Sequence, residues 1–363
     1  MTAVKNEAGQ DEPVQLGIAG DLSFRWREPW NGWLTARDPA ERAAWIHAGI
    51  AVTAAGDVVA VSHDSAEAVL LGPDGSLRHA FPTGATQGHG LVIAVDDGTE
   101  YLWLADNGVR REKTGSGEYP NVPGRRRHGR VLKMSLSGQT LLELTAPDLP
   151  AYSSGSFYPT GVAVDELRFG GDGGVWVADG YGQSLVHKFT ADGRYLLSLD
   201  GTGGGGRFAC PHAIWLERRR GQPELYVADR ANARLQVYDL DGRFRRVVGG
   251  PGLFRRPGGF AAVGDYLVVA ELEARLAVLD PADQLVGYLG ADDLAGGRPG
   301  FPNGLDGDGL PRRPAPLTAG QFNSPHGITS DASGSLYVSE FLIGGRLVKL
   351  ENVTAAAHGG AAR

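Results

Sequence analysis

Three histidines stand in the same short phrase at three places in the chain. "GHGL" carries His89, "CPHAI" carries His212 and "SPHGI" carries His326. After each come a Gly or Ala, an apolar run, a turn, a second apolar run and an acid. Three neutral imidazoles that converge and leave coordination positions open form a catalytic metal arrangement, typical of zinc. A metal held in this way polarises a substrate oxygen or lowers the pKa of a bound water. This chemistry requires a fold that brings three residues, spread over most of the sequence, to one point.

The repeat to which the phrase belongs supplies that fold. Six passages follow the same plan, opening at "IHAGIAV", "GHGLVIAV", "YPTGVAV", "CPHAIWL", "RPGGFAAV" and "SPHGITS". Their runs are short, rich in Val, Leu, Ile, Tyr and Trp, and bounded by Gly, Asp or Pro, as strands and hairpins are. "PDGS", "ADGR" and "LDGR" read as turns joining a third strand to a fourth. Four strands per unit at a spacing of about 40 residues is a propeller blade. The sixth unit lacks a fourth strand, and the N-terminal segment "DLSFRWREPW" has no first three of its own. Pairing the two closes the ring and leaves no open edge between first and last blades. The expectation is an all-β, six-bladed propeller spanning residues 16–352, with flexible ends at 1–15 and 353–363. Two connections, Arg110 to Gly129 and Gly290 to Gly320, are too long for plain turns and are candidate lids. The chain resembles NHL-repeat propellers over nearly its whole length, most closely at "YVADRANARLQVYDLDGRF".

The residue before the Gly or Ala that opens each innermost strand is Ala48, His89, Thr160, His212, Gly259 and His326 in turn. Histidine therefore falls on alternate blades, about 120° apart around a channel that the innermost strands line. His47 is one residue out of this register. His79, His128, His187 and His358 read as surface or loop residues without a role.

Adjacent antiparallel strands place the end of the second beside the start of the first. The loops that follow the second strands should therefore ring the histidine end. The acids opening them, Asp106, Asp179, Asp229, Glu271 and Glu340, suit a structural role, accepting backbone N–H groups. The residues that break the pattern are the chemical candidates. Tyr181 offers a phenol that a nearby cation pushes toward phenolate. Arg230 offers a fixed fork for a carboxylate or oxyanion. His63, with Asp64, offers a base in blade one.

These residues look like the core of peptidyl-hydroxyglycine amidating lyase, a six-bladed propeller that cleaves a carbinolamide to an amide and glyoxylate. The resemblance implies His89, His212 and His326 as zinc ligands, Tyr181 in "VWVADGYGQSLVHKF" as catalytic base, and Arg230 in "LYVADRANARLQVY" as a substrate arginine. The pattern also departs from that family. "VSHDS" replaces its first-blade arginine, Gly327 stands where a calcium-site aspartate follows the third histidine, and Ser324 replaces a methionine. Two disulfides have no counterpart, since Cys210 is the single cysteine. The departures point to a cytoplasmic relative acting on a different small molecule.

The 363-residue chain carries a net charge of −7 and no basic footprint for nucleic acid. One cysteine fits a reducing compartment. With no long apolar run, a soluble, cytoplasmic protein without a membrane partner is expected. "GTGGGGR" (Gly201 to Arg207) opens no helix and reads as a loop. "LDGDGL" lacks the remainder of an EF-hand. Arg125 to Arg127 and Arg218 to Arg220 read as solvated charge. Three functions remain open. One is a metal-dependent lyase with Tyr181 as acid/base and Arg230 as clamp. Another is a zinc-hydroxide hydrolase or lactonase with His63 or a ring acid as base. The third is a non-catalytic NHL interaction module. Zinc is the expected metal, with Fe, Mn or Cu as alternatives, and the sequence specifies neither the substrate nor the oligomeric state.

Overall fold

The structure, a computed structural model, describes residues 14–18, 22–30, 49–62, 66–109, 113–114, 116, 118 and 127–354. They form six antiparallel sheets arranged as the blades of a propeller. Blades one to five have four strands each. The innermost are Ile50–Val52, Gly88–Asp96, Gly161–Val164, Pro211–Glu217 and Pro257–Val263. Each innermost strand packs against those of the two neighbouring blades, and Pro325–Ser330 of blade six meets Ile50–Val52 of blade one to complete the ring.

The second strands are apolar almost throughout. Val175–Asp179 and Leu336–Glu340, for example, are buried at every residue. A sheet with one solvated face alternates in polarity, but these blades pack on both faces and so need apolar groups on both. The core is accordingly divided into layers between blades. One layer joins Val268, Ala270 and Val278 of blade five to Ile328, Val338 and Val348 of blade six.

Blade six is closed as the sequence implies. Ser23–Arg27 pairs antiparallel with Arg346–Asn352, Phe24 opposite Asn352 and Trp26 opposite Leu350. Phe24 and Trp26 enter the layer between blades five and six. A further strand, Gln15–Gly17, pairs outside Ser23–Arg27 and makes this sheet five-stranded. It begins one residue inside the segment expected to be flexible. Arg346 also ties the closure, donating to Glu28 at 2.7 Å and to Glu340 at 2.9 Å.

Most of the connection from Arg110 to Gly129 lies outside the described residues. The other long connection forms a small hairpin, Gly304–Leu305 with Pro311–Arg312. It is seated on the loop that follows the second strand of blade six. Asn303 Oδ1 accepts the Ile343 N–H at 2.8 Å, and Arg313 donates to the Ile343 and Gly345 carbonyls at 2.6 and 2.7 Å. This places the hairpin on the histidine-bearing face.

Deleting residues 1–30 should lower the melting temperature and expose the outer edge of Arg346–Asn352 to self-association. Phe24→Ala should cost about 3–5 kcal/mol, as for other buried phenylalanines. Chemical denaturation and light scattering check both; a truncated chain that stays monomeric with unchanged melting would contradict this closure.

Candidate metal centre

His89, His212 and His326 are buried and meet at one end of the channel, with ring centroids 4.7–4.8 Å apart in all three pairs. One nitrogen from each lies within 4.8 Å of the other two, so the three are positioned to hold a metal ion. The strand register shows how they are aimed. In each of these blades the pairing of first and second strands slips at the histidine. The slip falls between Gly88 and Leu91, between Pro211 and Ile214, and between Pro325 and Gly327. A bulge inserts a residue and re-aims its side chain. Blade five slips in the same way between Pro257 and Gly259, so the bulge belongs to the repeat, and in blades two, four and six it carries a histidine that lines the channel. Prolines at 211 and 325 fit because bulges tolerate a missing N–H.

The glycines of the repeat have a steric origin. A Cβ on Gly49 would lie 2.5 Å from the His89 carbonyl oxygen, and one on Gly259 would lie 2.6 Å from that of His326. On Gly90 it would collide with the Thr160 carbonyl. At these three positions the inner strands approach too closely for a side chain, whereas blade four accommodates the single methyl of Ala213.

Carbonyls of neighbouring inner strands also orient the rings. His89 Nδ1 donates to the Thr160 carbonyl at 2.6 Å, and His212 Nδ1 donates to the Gly258 carbonyl at 2.9 Å. A carbonyl only accepts, so each Nδ1 carries the proton and each Nε2 keeps its lone pair, the tautomer a metal requires. Burial holds the pKa of His89 down at about 3, against the opposing hydrogen bond to Thr160; the Arg230 charge lowers it further. His212 is likewise held well below its ordinary value, first by burial and then by Arg230. Both rings are therefore neutral at physiological pH, and the donor set suits a divalent metal such as zinc.

Two residues singled out in the sequence converge on the histidines. The Tyr181 hydroxyl is 3.2 Å from His89 Nε2 and 3.2 Å from His212 Nε2. Arg230 Nη1 donates to the same oxygen at 3.3 Å, its guanidinium carbon 5.3 Å from the centre of the Tyr181 ring. Cys210, two residues before His212, hydrogen bonds with Arg230 through its side chain, and burial pushes its thiol pKa up. His63 and Asp64 lie outside the described residues, as do His47 and His358.

The ring of acids is tied into the backbone. Asp106 accepts the N–H groups of Thr86, Gln87 and Gly108. Asp179 accepts those of Tyr158 and Gln183, Asp229 that of Ala209, Glu271 that of Arg255, and Glu340 those of Asn323 and Ser324. Each carboxylate thus staples the entry of the first strand to the exit of the second. Sequence reading missed their partners. Arg130, Arg234, Arg275 and Arg346, each the first residue of a third strand, pair with the acid of their own blade. Repulsion around the ring is relieved blade by blade. The signal was present in the sequence as a recurring arginine where the third strand opens.

Blade three differs. Leu185 stands opposite Asp179, where the other four blades have arginine. Asp179 instead accepts a hydrogen bond from the Tyr152 hydroxyl at 2.7 Å, and that oxygen lies 2.7 Å from His187 Nε2. His187 Nδ1 is 2.7 Å from Ser198 Oγ. The surface assignment of His187 is therefore wrong. It lies in the strand Leu185–Phe189 and is fully buried, because this neutral network takes the place of a guanidinium. The arginines at 218–220 are not plain solvated charge either, since all three pair with acids, Arg219 in a nearly buried contact with Glu217.

Fold and site together define a six-bladed propeller with three histidines positioned to hold a metal ion at one end of its channel. No family model matches the chain. A stretch of 88 residues, 23% of this chain, is 34% identical to peptidyl-glycine alpha-amidating monooxygenase A of Xenopus laevis, and spans 9% of that protein. A mouse peptidyl-glycine alpha-amidating monooxygenase matches at the same identity and length, over 8% of its chain. The match thus spans less than a tenth of either relative. Among solved structures, a streptogramin B lyase superimposes over 91% of this chain and 98% of its own, with a TM-score of 0.55 at 16% identity. A gluconolactonase from Xanthomonas campestris does so over 97% and 98%, with a TM-score of 0.53 at 14% identity. At these identities the likeness establishes the fold. No helix among the described residues is long and apolar enough to cross a membrane.

Burial lowers the pKa of His187 from 6.5 to about 4. Below pH 6.5 the unfolded chain takes up this proton and the folded chain does not, so stability falls as pH drops from 6.5 toward 4 and levels off below. The loss is at most about 3 kcal/mol. Denaturant titrations between pH 7 and 4 should show a shallower decline for His187→Gln than for the native chain. Parallel curves would contradict this.

Proposed function

We propose that the protein is a metal-dependent enzyme of amidating-lyase type. In this reading it cleaves a C–N or C–O bond in a small acidic or carbonyl-containing metabolite. The observation that carries the proposal is the Tyr181 hydroxyl, lying between two histidine Nε2 atoms and the Arg230 guanidinium. The amidating monooxygenase match supports it, and the propeller neighbours named as a lyase and a lactonase support an enzymatic role.

His89, His212 and His326 would hold one divalent metal, zinc by donor type, which when bound supplies a Lewis acid for a substrate oxygen. Tyr181 is the proton carrier. For a carbinolamide-type substrate, the O–H proton passes to Tyr181, a C=O bond forms as the C–N bond breaks, and the departing nitrogen takes a proton back. The step is a proton-neutral elimination that needs no co-reactant. Arg230 holds a substrate carboxylate or the negative charge developing on oxygen. Its fork is held by hydrogen bonds to Tyr181 and Cys210, so little reorganisation is needed.

His326→Ala should abolish tight metal binding, measured by elemental analysis after dialysis, and lower the melting temperature only modestly, because the blades carry their own core. Tyr181→Phe keeps the ring and removes the hydroxyl. It should lower kcat by about 10²–10⁴-fold with metal content unchanged. Arg230→Lys keeps charge without the fork and should mainly raise KM for an acidic substrate. Product analysis with hydroxyglycine-type and lactone substrates is the decisive assay. A fully active Tyr181→Phe protein would replace the lyase reading with the hydrolase one, with His63 as base.

A further inference from the structure

We infer that Thr160 is a positioning residue that sets His89 through its backbone carbonyl and the entries to His212 and Tyr181 through its buried hydroxyl; this rests on the metal reading above. Thr160 occupies in blade three the register position that histidine holds in blades two, four and six. The strand pairing puts Gly258 and not Gly259 at this position in blade five, so the other non-histidine residues of the register are Ala48 and Gly258, and Thr160 alone of the three brings a hydroxyl to it. It is buried, and it touches a different part of the site through each of its polar atoms.

Its carbonyl accepts the Nδ1 proton of His89 at 2.6 Å and thereby selects that ring's tautomer. Its hydroxyl lies 3.1 Å from the Pro211 carbonyl, on the residue that precedes His212, and 3.2 Å from the Ala178 carbonyl. The same oxygen accepts the N–H of Gly180 at 3.3 Å, and Gly180 precedes Tyr181. One side chain thus reaches the peptide units next to His212 and Tyr181, while its own peptide holds His89. The space around it is tight: a Cβ on Gly180 would lie 2.6 Å from Thr160 Oγ1. Without the hydroxyl, the Gly180 N–H loses its side-chain acceptor in a buried site, and the Tyr181 loop and the entry to His212 lose their common anchor. Groups that orient metal ligands from behind change metal affinity by about 10–100-fold when removed.

The test compares Thr160→Val, which keeps shape without the hydroxyl, with Thr160→Ser, which keeps the hydroxyl. Zinc affinity is measured by competition with a chromophoric chelator, and site geometry by the visible spectrum of the cobalt(II)-substituted protein. The valine variant should bind zinc about 10–100-fold more weakly with an altered cobalt spectrum, and the serine variant should stay within about twofold of the native chain. A crystal structure of the metal-free valine variant should show the Tyr181 hydroxyl displaced from His89 and His212; Thr160→Ala serves the same purpose should valine prevent folding. Native zinc affinity and an unmoved Tyr181 in the hydroxyl-free protein would overturn the inference. So would a serine variant as weak as the valine one, since the methyl group and not the hydroxyl would then be responsible. Should the native chain bind no zinc, the metal reading fails, and the position of Tyr181 in the metal-free variant alone decides the role of Thr160.

Discussion

The close approach of the six inner strands around the channel is the constraint on which the rest of the structure depends. Each strand packs against two others, near enough that a single Cβ on Gly49 or Gly259 would strike a neighbouring carbonyl. That proximity brings backbone carbonyls of one blade within hydrogen-bond reach of side chains on the next. The metal centre uses this directly: His89 and His212 are oriented by main-chain oxygens of blades three and five. Loosening the ring would lose the tautomers together with the packing.

Local devices then convert a symmetric ring into a directed site. At the bulges of blades two, four and six the sequence supplies histidines, and these line the channel. The acids at the ends of second strands bind the entering backbone, and four of them pair with an arginine of the same blade. Removing one partner of a buried ion pair leaves an uncompensated charge, which is strongly destabilising. These pairs hold the rim rigid at little net gain. Blade three, which carries Tyr181, is built differently. Its acid is satisfied by Tyr152 backed by His187, so no permanent cation from the third strand stands behind the Tyr181 loop. Among the described residues, Arg230 of blade four is a charged neighbour of the Tyr181 hydroxyl.

Much of this was legible in the sequence, for a reason specific to repeats. In a propeller, register along the repeat maps onto position around an axis. Histidine at the same register in "GHGL", "CPHAI" and "SPHGI" therefore implied convergence before any contact was known. Hairpin geometry likewise placed Tyr181 and Arg230 at the histidine end, and the missing fourth strand of blade six implied closure by Ser23–Arg27. Periodicity and antiparallel pairing are local rules, and they carry this far.

What only the tertiary structure decided depends on contacts between blades. The tautomers of His89 and His212 rest on carbonyls 71 and 46 residues away in sequence, and every residue supplies a carbonyl, so no side-chain pattern marks them. Thr160 looked like a gap in the histidine register; its reach to Gly180 and Pro211 exists only once blades three and four are packed. His187 read as a surface residue because polar residues usually are, yet Leu185 leaves Asp179 without an arginine and Tyr152, backed by the buried His187, partners the acid instead. The sequence by itself determined which residues share a register and hence which end of the ring they occupy. The packing of blade on blade determined what each of them touches, because those distances arise only when the ring is closed.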